Sequence, residues 1–237
     1  MTVPRDWRAL AVLLILLPLA CWTWIVLMAR DMYGPMTGAS AWMMTPHWDA
    51  PHLLLLWAMW AVMMTAMMLP GAAPLIALAQ RRYPLTLGYL AVWALFSVGA
   101  TALQWGLARL FVITPMMEVS SRTAAAVLLA IAGIYQWTPW KRACLTACQS
   151  PIAYATRHWR SGGWGAFRMG VEHGVHCVGC CWALMLLLFA GGVMNLAVIA
   201  ALTALVMFEK LGPGSLRSER ISGALLVGLA AWMLMRA

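Results

Sequence analysis

The stretch EHGVHCVGCCWALMLLLFA, residues 172–190, decides the fold of this chain. Residues 172–181 carry one carboxylate, two imidazoles and three thiols, and the residues after them are almost purely apolar. A helix needs ~20 mostly apolar residues to cross a bilayer. The stretch therefore predicts a membrane helix with metal-binding side chains near one of its ends.

The composition of the whole chain indicates an integral membrane protein. Of its 237 residues, 64% are hydrophobic and 10% are charged, whereas soluble domains carry about 25% charged residues. Little sequence remains between the apolar runs, so we predict one integral membrane domain over residues 1–237, with its motifs in a core of about 50–210.

The apolar runs predict an all-α fold, a polytopic transmembrane helical bundle of about seven spans. We expect the first run to be an uncleaved anchor rather than a signal peptide, because it continues past Cys21. The predicted spans are Leu10–Met28, Leu53–Ala72, Leu85–Leu107, Thr123–Trp137, Arg168–Ala190, Met194–Phe208 and Ile221–Met235.

The net charge of +9 is distributed as in a membrane protein and not as in a nucleic-acid-binding protein. Cations of inner segments outnumber those of outer segments if the N-terminus is inside and the C-terminus outside, which is the positive-inside bias of bacterial inner-membrane proteins. Anionic lipid of the bilayer is then their partner. The inner cations are Arg5, Arg8, Arg81, Arg82, Lys141, Arg142, Arg157, Arg160, Arg168, Lys210, Arg217 and Arg220, and the outer ones are Arg30, Arg109, Arg122 and Arg236.

A weak internal similarity indicates an inverted repeat of three helices. The tetrapeptide WAVM at 60–63 in the second span resembles WALM at 182–185 in the fifth. Spans two to four and five to seven would then be halves of opposite orientation, as in many transporters.

Five of the six cysteines fall into two tight clusters. Cys144 and Cys148 are spaced i, i+4, and Cys177, Cys180 and Cys181 are spaced i, i+3, i+4, so each cluster shares one helix face. Thiolates select soft metals such as Cu(I) and Zn(II). The clusters therefore predict a soft-metal site, whereas lone buried cysteines behave as small hydrophobes.

Other candidate groups lie close to these thiols. His173 and His176 precede Cys177 and Cys180 by one helical turn and are candidate ligands. Glu172 would orient a ligating histidine or accept a proton, or it would simply be solvated at the helix end. Thr138-Pro139 predicts the start of a short helix in which Lys141 and Arg142 would favour thiolate, and Gln149–Trp164 is predicted to be a basic loop.

Methionines form two further groups. Met59, Met63 and Met67 make one stripe on the second span, beside a second stripe of Met64 and Met68. Thioethers are soft ligands that suit Cu(I), although methionine also fills irregular cores. At 1.5 Å per residue, Met63, Met67, Cys177 and Cys180 fall at overlapping depths. An outer site for collecting metal is predicted in the first outer loop, or else these are interfacial residues of a wet loop: Met36, Met43, Met44, His47 and His52.

Three stretches together resemble a bacterial family of predicted metal-binding integral membrane proteins with a domain of unknown function. The resemblance implies membrane location and metal binding, and it implies no defined reaction. The stretches are Met59-Trp60 through Pro70, the pattern Tyr135-Gln136-x-Thr138-Pro139-x-Lys141-x-x-Cys144 with Cys148 and Ser150-Pro151, and His176-Cys177-x-Gly179-Cys180-Cys181-Trp182.

The sequence therefore predicts a membrane protein that binds a soft metal and acts in its transport, delivery or homeostasis. Cu(I) fits the ligands best, with zinc and mercury as alternatives, and a metallochaperone or another membrane subunit would be its protein partner. A membrane thiol-disulfide oxidoreductase or electron relay stays an alternative, as does an accessory assembly subunit of a metalloenzyme. No P-loop or paired catalytic carboxylates are present, which disfavours an enzyme.

Overall fold

The computed structural model describes residues 7–34, 48–110, 112–114, 117–212 and 215–236, and these ranges are almost entirely helical. Their β-structure is confined to an isolated bridge between Ile113 and Val119. A helix satisfies its backbone hydrogen bonds within the segment itself, which an apolar surrounding demands. The predicted all-α bundle is confirmed.

Helices α1 to α5 make up the N-terminal half. The second of the predicted spans changes from α-helix to a 3₁₀ segment at Leu69-Pro70, because proline lacks the backbone N–H that continues the α-helical pattern. The elements are α1 (Trp7–Ala11), a π-helical segment (Val12–Leu16), α2 (Leu17–Met32), α3 (Ala50–Met68), a 3₁₀ segment (Leu69–Ala72), α4 (Ala73–Leu78) and α5 (Arg82–Arg109).

Helices α6 to α12 make up the C-terminal half. The predicted end of the fifth span is confirmed, since Gly192 caps the preceding helix with a φ of 90°. The elements are α6 (Arg122–Tyr135), α7 (Pro139–Gln149), α8 (Pro151–His158), α9 (Gly162–Met185), α10 (Leu187–Gly191), α11 (Leu196–Leu211) and α12 (Ser215–Met235).

Five stretches of the described chain are long and apolar enough to cross a membrane. The predicted fourth and sixth spans correspond to α6, with 14 residues, and α11, with 16, and both are shorter than the ~20 residues of a typical span. The five stretches are Val12–Met32, Ala50–Leu78, Arg82–Arg109, Gly162–Gly191 and Ser218–Met235.

The segment after the first cysteine pair differs from the prediction. Thr138 caps α7 as expected, accepting a hydrogen bond from the Lys141 backbone N–H at 3.3 Å. The predicted loop Gln149–Trp164 is wrong, because Pro151 ends α7 and also starts the helix α8. Proline is well tolerated at the first helical position, where its missing N–H needs no intrahelical partner.

The crossing of α5 and α9 forms the centre of the bundle and is its most extensive helix contact. A Cβ atom on Gly88 would collide with the carbonyl of Phe167, and one on Gly170 would collide with the carbonyl of Leu85. Small residues allow two backbones to approach this closely. Helix α7 also packs on α9, so the cysteine-bearing face of α9 lies between α5 and α7.

Candidate metal centre

Helix α9 carries three buried thiols on one face, as the spacing predicts. Cys177, Cys180 and Cys181 are at most 2% exposed. The thiols of Cys180 and Cys181 donate to the Cys177 carbonyl at 3.1 and 2.8 Å. These bonds hold both sulfurs against the backbone of the preceding helical turn.

The Cys177 sulfur has two polar neighbours from other helices. The Lys210 ammonium on α11 donates to it at 2.8 Å, and the Tyr89 hydroxyl on α5 lies 3.0 Å from it. The same hydroxyl donates to the Met68 carbonyl at 2.9 Å. Cys177 therefore occupies the point where α3, α5, α9 and α11 meet.

Helix α7 adds the second cysteine pair to the same centre. The buried Cys148 thiol lies beside those of Cys177 and Cys180, and their interaction with it, together with burial, holds the pKa of Cys148 well above the usual value. Cys144 is partly exposed and lies against Gly179, where a Cβ atom would be 2.7 Å from its sulfur. The fold thus unites the two predicted clusters, with Cys144 at the rim.

A thioether from α3 completes the set of soft atoms. The Met68 sulfur lies 3.8 Å from the Cys181 sulfur and 3.9 Å from the Lys210 ammonium. Met59, Met63 and Met67 are fully buried on the same helix. The methionine in contact with the thiols therefore belongs to the second predicted stripe rather than the first.

The four inner thiols are close together without forming a finished ligand set. Among the described residues, no three His, Cys, Asp or Glu side chains stand as a ready metal site. Three of the thiols are engaged in other bonds. Those of Cys180 and Cys181 donate to the Cys177 carbonyl, and the Lys210 ammonium donates to the Cys177 sulfur. To bind here, a metal ion would have to rotate the Cys180 and Cys181 thiols away from the carbonyl. It would also have to displace the Lys210 ammonium from direct contact with the Cys177 sulfur.

The predicted histidine ligands precede the three thiols on α9. The buried His173 ring packs between Tyr89 and Tyr154, with centroid distances of 5.9 and 5.1 Å, and its Nδ1 has no hydrogen-bond partner among the described residues. His176 is partly buried, 6.0 Å from Tyr154. Both rings pack on tyrosine rings, and neither is hydrogen-bonded to a sulfur of the described residues.

Glu172 lies in the middle of α9 and is partly exposed. Its Oε1 pairs with Arg160 at 2.9 Å and with Arg168 at 3.3 Å, whereas its Oε2 is buried with no hydrogen-bond partner among the described residues. These ion pairs favour the alternative of a solvated carboxylate, although its predicted place at the helix end is wrong. Nothing in these contacts ties it to a ligating histidine.

Most of the predicted outer site falls outside the described residues, namely Met36, Met43, Met44 and His47. His52 is described, and it is buried in the first turn of α3 rather than in a wet loop. Its backbone N–H donates to the capping Asp49 side chain at 3.0 Å, and its ring stacks obliquely on Trp48.

Two cations expected to favour thiolate are paired with carboxylates instead. Lys141 bonds to Glu209 at 2.6 Å and Arg142 to Glu219 at 3.0 Å. Gln136 and Ser222 also donate to Glu209, at 3.0 and 3.2 Å. Lys210, which was predicted only as an inner-loop charge, is the cation at the thiols.

Sequence reasoning missed Lys210, Met68 and Tyr89 as members of the centre. A signal for the first was present, since Glu209 and Lys210 end an apolar run of α11 and ionisable groups are costly in such a place. No comparable signal marks Tyr89, which is one aromatic residue among many on α5.

Comparison with known proteins identifies a relationship over three quarters of the chain. A family model described as PpoB2, copper chaperone, matches residues 57–233. The matched range contains both cysteine clusters, the methionine stripes and Lys210, and it begins after α2. No curated protein and no solved structure matches the chain.

Proposed function

This chain belongs to the PpoB2 family of copper chaperones, and we propose that it is a membrane-embedded protein that binds Cu(I) on its buried thiols and passes the ion on. Cys148, Cys177, Cys180 and Cys181 are the proposed ligands, with Met68 beside them. Cys144 at the rim and the imidazoles of His173 and His176 would bind the ion as it enters or leaves the centre.

The convergence of the two cysteine helices carries this proposal. Cys148 of α7 lies beside Cys177 and Cys180 of α9, and the Met68 sulfur lies 3.8 Å from the Cys181 sulfur. Four thiols and one thioether within contact distance form a donor set for a soft, weakly hydrated cation. A hard ion such as Mg²⁺ would find no oxygen ligands in this group of side chains.

The methionines of α3 supply a route to the thiols. Met59, Met63 and Met67 are fully buried and follow one another at helical spacing toward Met68. Thioether donors hold Cu(I) without any change of protonation. We propose that they relay the ion between an outer site, including Met36, Met43, Met44, His47 and His52, and the thiol centre.

The proposed setting is the bacterial inner membrane, with the N-terminus inside and the C-terminus outside. The five long apolar helices support a membrane setting, and the distribution of Arg157, Arg160 and Arg168 on the inner side supports the orientation. The ion would be exchanged with a metallochaperone or another membrane subunit. Thiol ligands permit this transfer, because an incoming thiol can bind the ion before the outgoing thiol leaves.

The test is metal loading of the full chain. Protein purified in detergent is incubated anaerobically with Cu(I), freed of excess metal and analysed by mass spectrometry for copper per chain. We expect about one copper or more in the wild type and about a tenth of that in the Cys177→Ser, Cys180→Ser double variant. Cys21→Ser is the matched control, since its thiol lies on α2 outside the centre. Wild-type copper in the double variant would refute the proposal.

A thiol-disulfide relay is the second candidate, favoured by the position of the Cys148 thiol beside those of Cys177 and Cys180. All six cysteines are free thiols in this structure. A count of free thiols on the same purified samples separates the two functions. Loss of two thiols without bound copper would favour the relay, and six thiols with copper would favour the chaperone.

A further inference from the structure

The Lys210 side chain is built into the thiol centre rather than stretched toward solvent. It is 4% exposed, and its ammonium bonds to the Cys177 sulfur at 2.8 Å with the Met68 sulfur 3.9 Å away. The neighbouring Glu209 carboxylate is engaged by Lys141, Gln136 and Ser222. The charge of Lys210 is therefore directed at sulfur and not at the adjacent carboxylate.

The 3₁₀ segment after α3 makes room for this side chain. A Cβ atom on Gly71 would lie 3.0 Å from the Lys210 Cδ and 3.4 Å from its ammonium nitrogen. The distance to Cδ is tighter than ordinary van der Waals contact, so even a methyl group at this position would press on the lysine stem. The Leu69-Pro70-Gly71 turn thus opens the slot through which Lys210 reaches Cys177.

We infer that Lys210 is a specificity determinant that makes this centre prefer a monovalent soft cation over divalent ions. The inference rests on the proposed function, because it presumes that the thiols bind metal. Lys210 acts here as a positive charge held next to the ligands in both the free and the loaded protein. It need not bind the ion itself.

The expected preference for a monovalent ion follows from the charge balance at the buried centre. With two of the four proposed thiol ligands ionised, Cu(I) leaves a single negative charge, which the nearby ammonium compensates. The same two thiolates with a divalent ion are already neutral, so the ammonium would remain as an uncompensated buried charge unless a third thiol or Lys210 itself lost a proton. Uncompensated charge is costly away from water, and unit charges ~4 Å apart interact strongly at an effective dielectric constant of ~20.

The experiment compares two probe ions in the full-length protein in detergent. Anaerobic competition titrations against a chromophoric chelator give the affinities for Cu(I) and for Cd(II) in the wild type and in Lys210→Met. The substitution removes the charge and retains an unbranched chain of similar length. We expect the ratio of Cu(I) to Cd(II) affinity to fall at least about tenfold, with Cu(I) binding weakened.

Matched variants separate charge from packing. Lys210→Arg retains the charge and should keep the affinity ratio within about threefold of the wild type. Lys210→Gln is a second neutral variant, to be used if the methionine variant does not elute as folded protein. An unchanged ratio in the folded neutral variant would overturn the inference, and so would an equal loss in a folded Lys210→Arg protein.

The titrations distinguish a failure of the inference about Lys210 from a failure of the proposed function. A wild-type protein that binds no Cu(I) would refute the chaperone proposal itself. A wild type that binds Cu(I), together with neutral variants that discriminate between the two ions as the wild type does, would refute only the role of Lys210.

Discussion

The Lys141 ammonium and the Glu209 carboxylate form an ion pair, with 2.6 Å between Nζ and Oε2, although both side chains are almost completely sealed from solvent. The pair joins α7, which carries Cys144 and Cys148, to α11, which carries Lys210. It therefore fixes the second cysteine pair and the thiol-bound lysine relative to each other.

Removing one member of this pair should destabilise the protein more than removing both. Lys141→Met or Glu209→Gln leaves a buried charge without compensation, which costs about 3–5 kcal/mol. The double variant should lose less stability than either single variant, and therefore clearly less than the sum of the two. Detergent-based unfolding titrations measure the free energies of unfolding for this cycle.

Arg168→Met is the control for that cycle. Its pair with Glu172 is exposed on the helix surface, and an exposed pair contributes about 1 kcal/mol or less. Additive effects of Lys141→Met and Glu209→Gln would mean that the two side chains do not act as a pair.

Met68→Leu should weaken Cu(I) binding while the fold persists. The leucine has a similar volume, so its cost to stability should stay below about 1.5 kcal/mol, but the soft sulfur next to Cys181 is lost. We expect the Cu(I) affinity, measured by chelator competition, to fall about tenfold. Met63→Leu makes the same chemical change on the neighbouring stripe, and equal losses in both variants would argue against a specific role of Met68.

Gly179→Ala should separate α7 from α9 locally. The new methyl group would lie 2.7 Å from the Cys144 sulfur, and overpacking of this kind costs about 1–3 kcal/mol. The free energy of unfolding should recover when Cys144→Ala is added, because the smaller side chain removes the clash.

Gly99→Ala is the matched control for that substitution. Gly99 lies in α5 with open space where a Cβ atom would be, and alanine is favoured over glycine in helices by up to ~1 kcal/mol. A destabilisation equal to that of Gly179→Ala would show that the effect does not come from contact with Cys144.

Cys144 should be the most reactive thiol of the native protein. It is the one partly exposed cysteine among the described residues, whereas the other five are buried. Brief alkylation with a small maleimide followed by mass spectrometry should label about one site per chain, and Cys144→Ser should abolish that label. Labelling of Cys177 at the same rate would mean that the centre is open to solvent.

The local elements of this fold were predictable because their causes are local. An apolar run sets a helix length, Thr138-Pro139 sets a helix start, and the spacing of Cys177, Cys180 and Cys181 sets a shared face. Each of these depends on residues within a few positions of one another. The prediction failed at Pro151 because the same residue type can end one helix and begin the next.

The centre itself required the tertiary structure. Met68 meets Cys181, and Lys210 meets Cys177, across long separations along the chain, and such contacts depend on how the helices cross. Gly88 and Gly170 set one of these crossings by permitting close backbone approach. The burial of Lys141 and Lys210, both predicted as cations of inner segments, has the same origin.

The sequence by itself determined that this chain is a helical, thiol- and thioether-bearing bundle, because helix hydrogen bonds, apolar run lengths and residue spacings are properties of neighbouring residues. Only the tertiary structure decided which sulfurs meet and which cation stands beside them. Those choices depend on helix crossing points and side-chain directions, and these are fixed by packing between residues that are distant in the sequence.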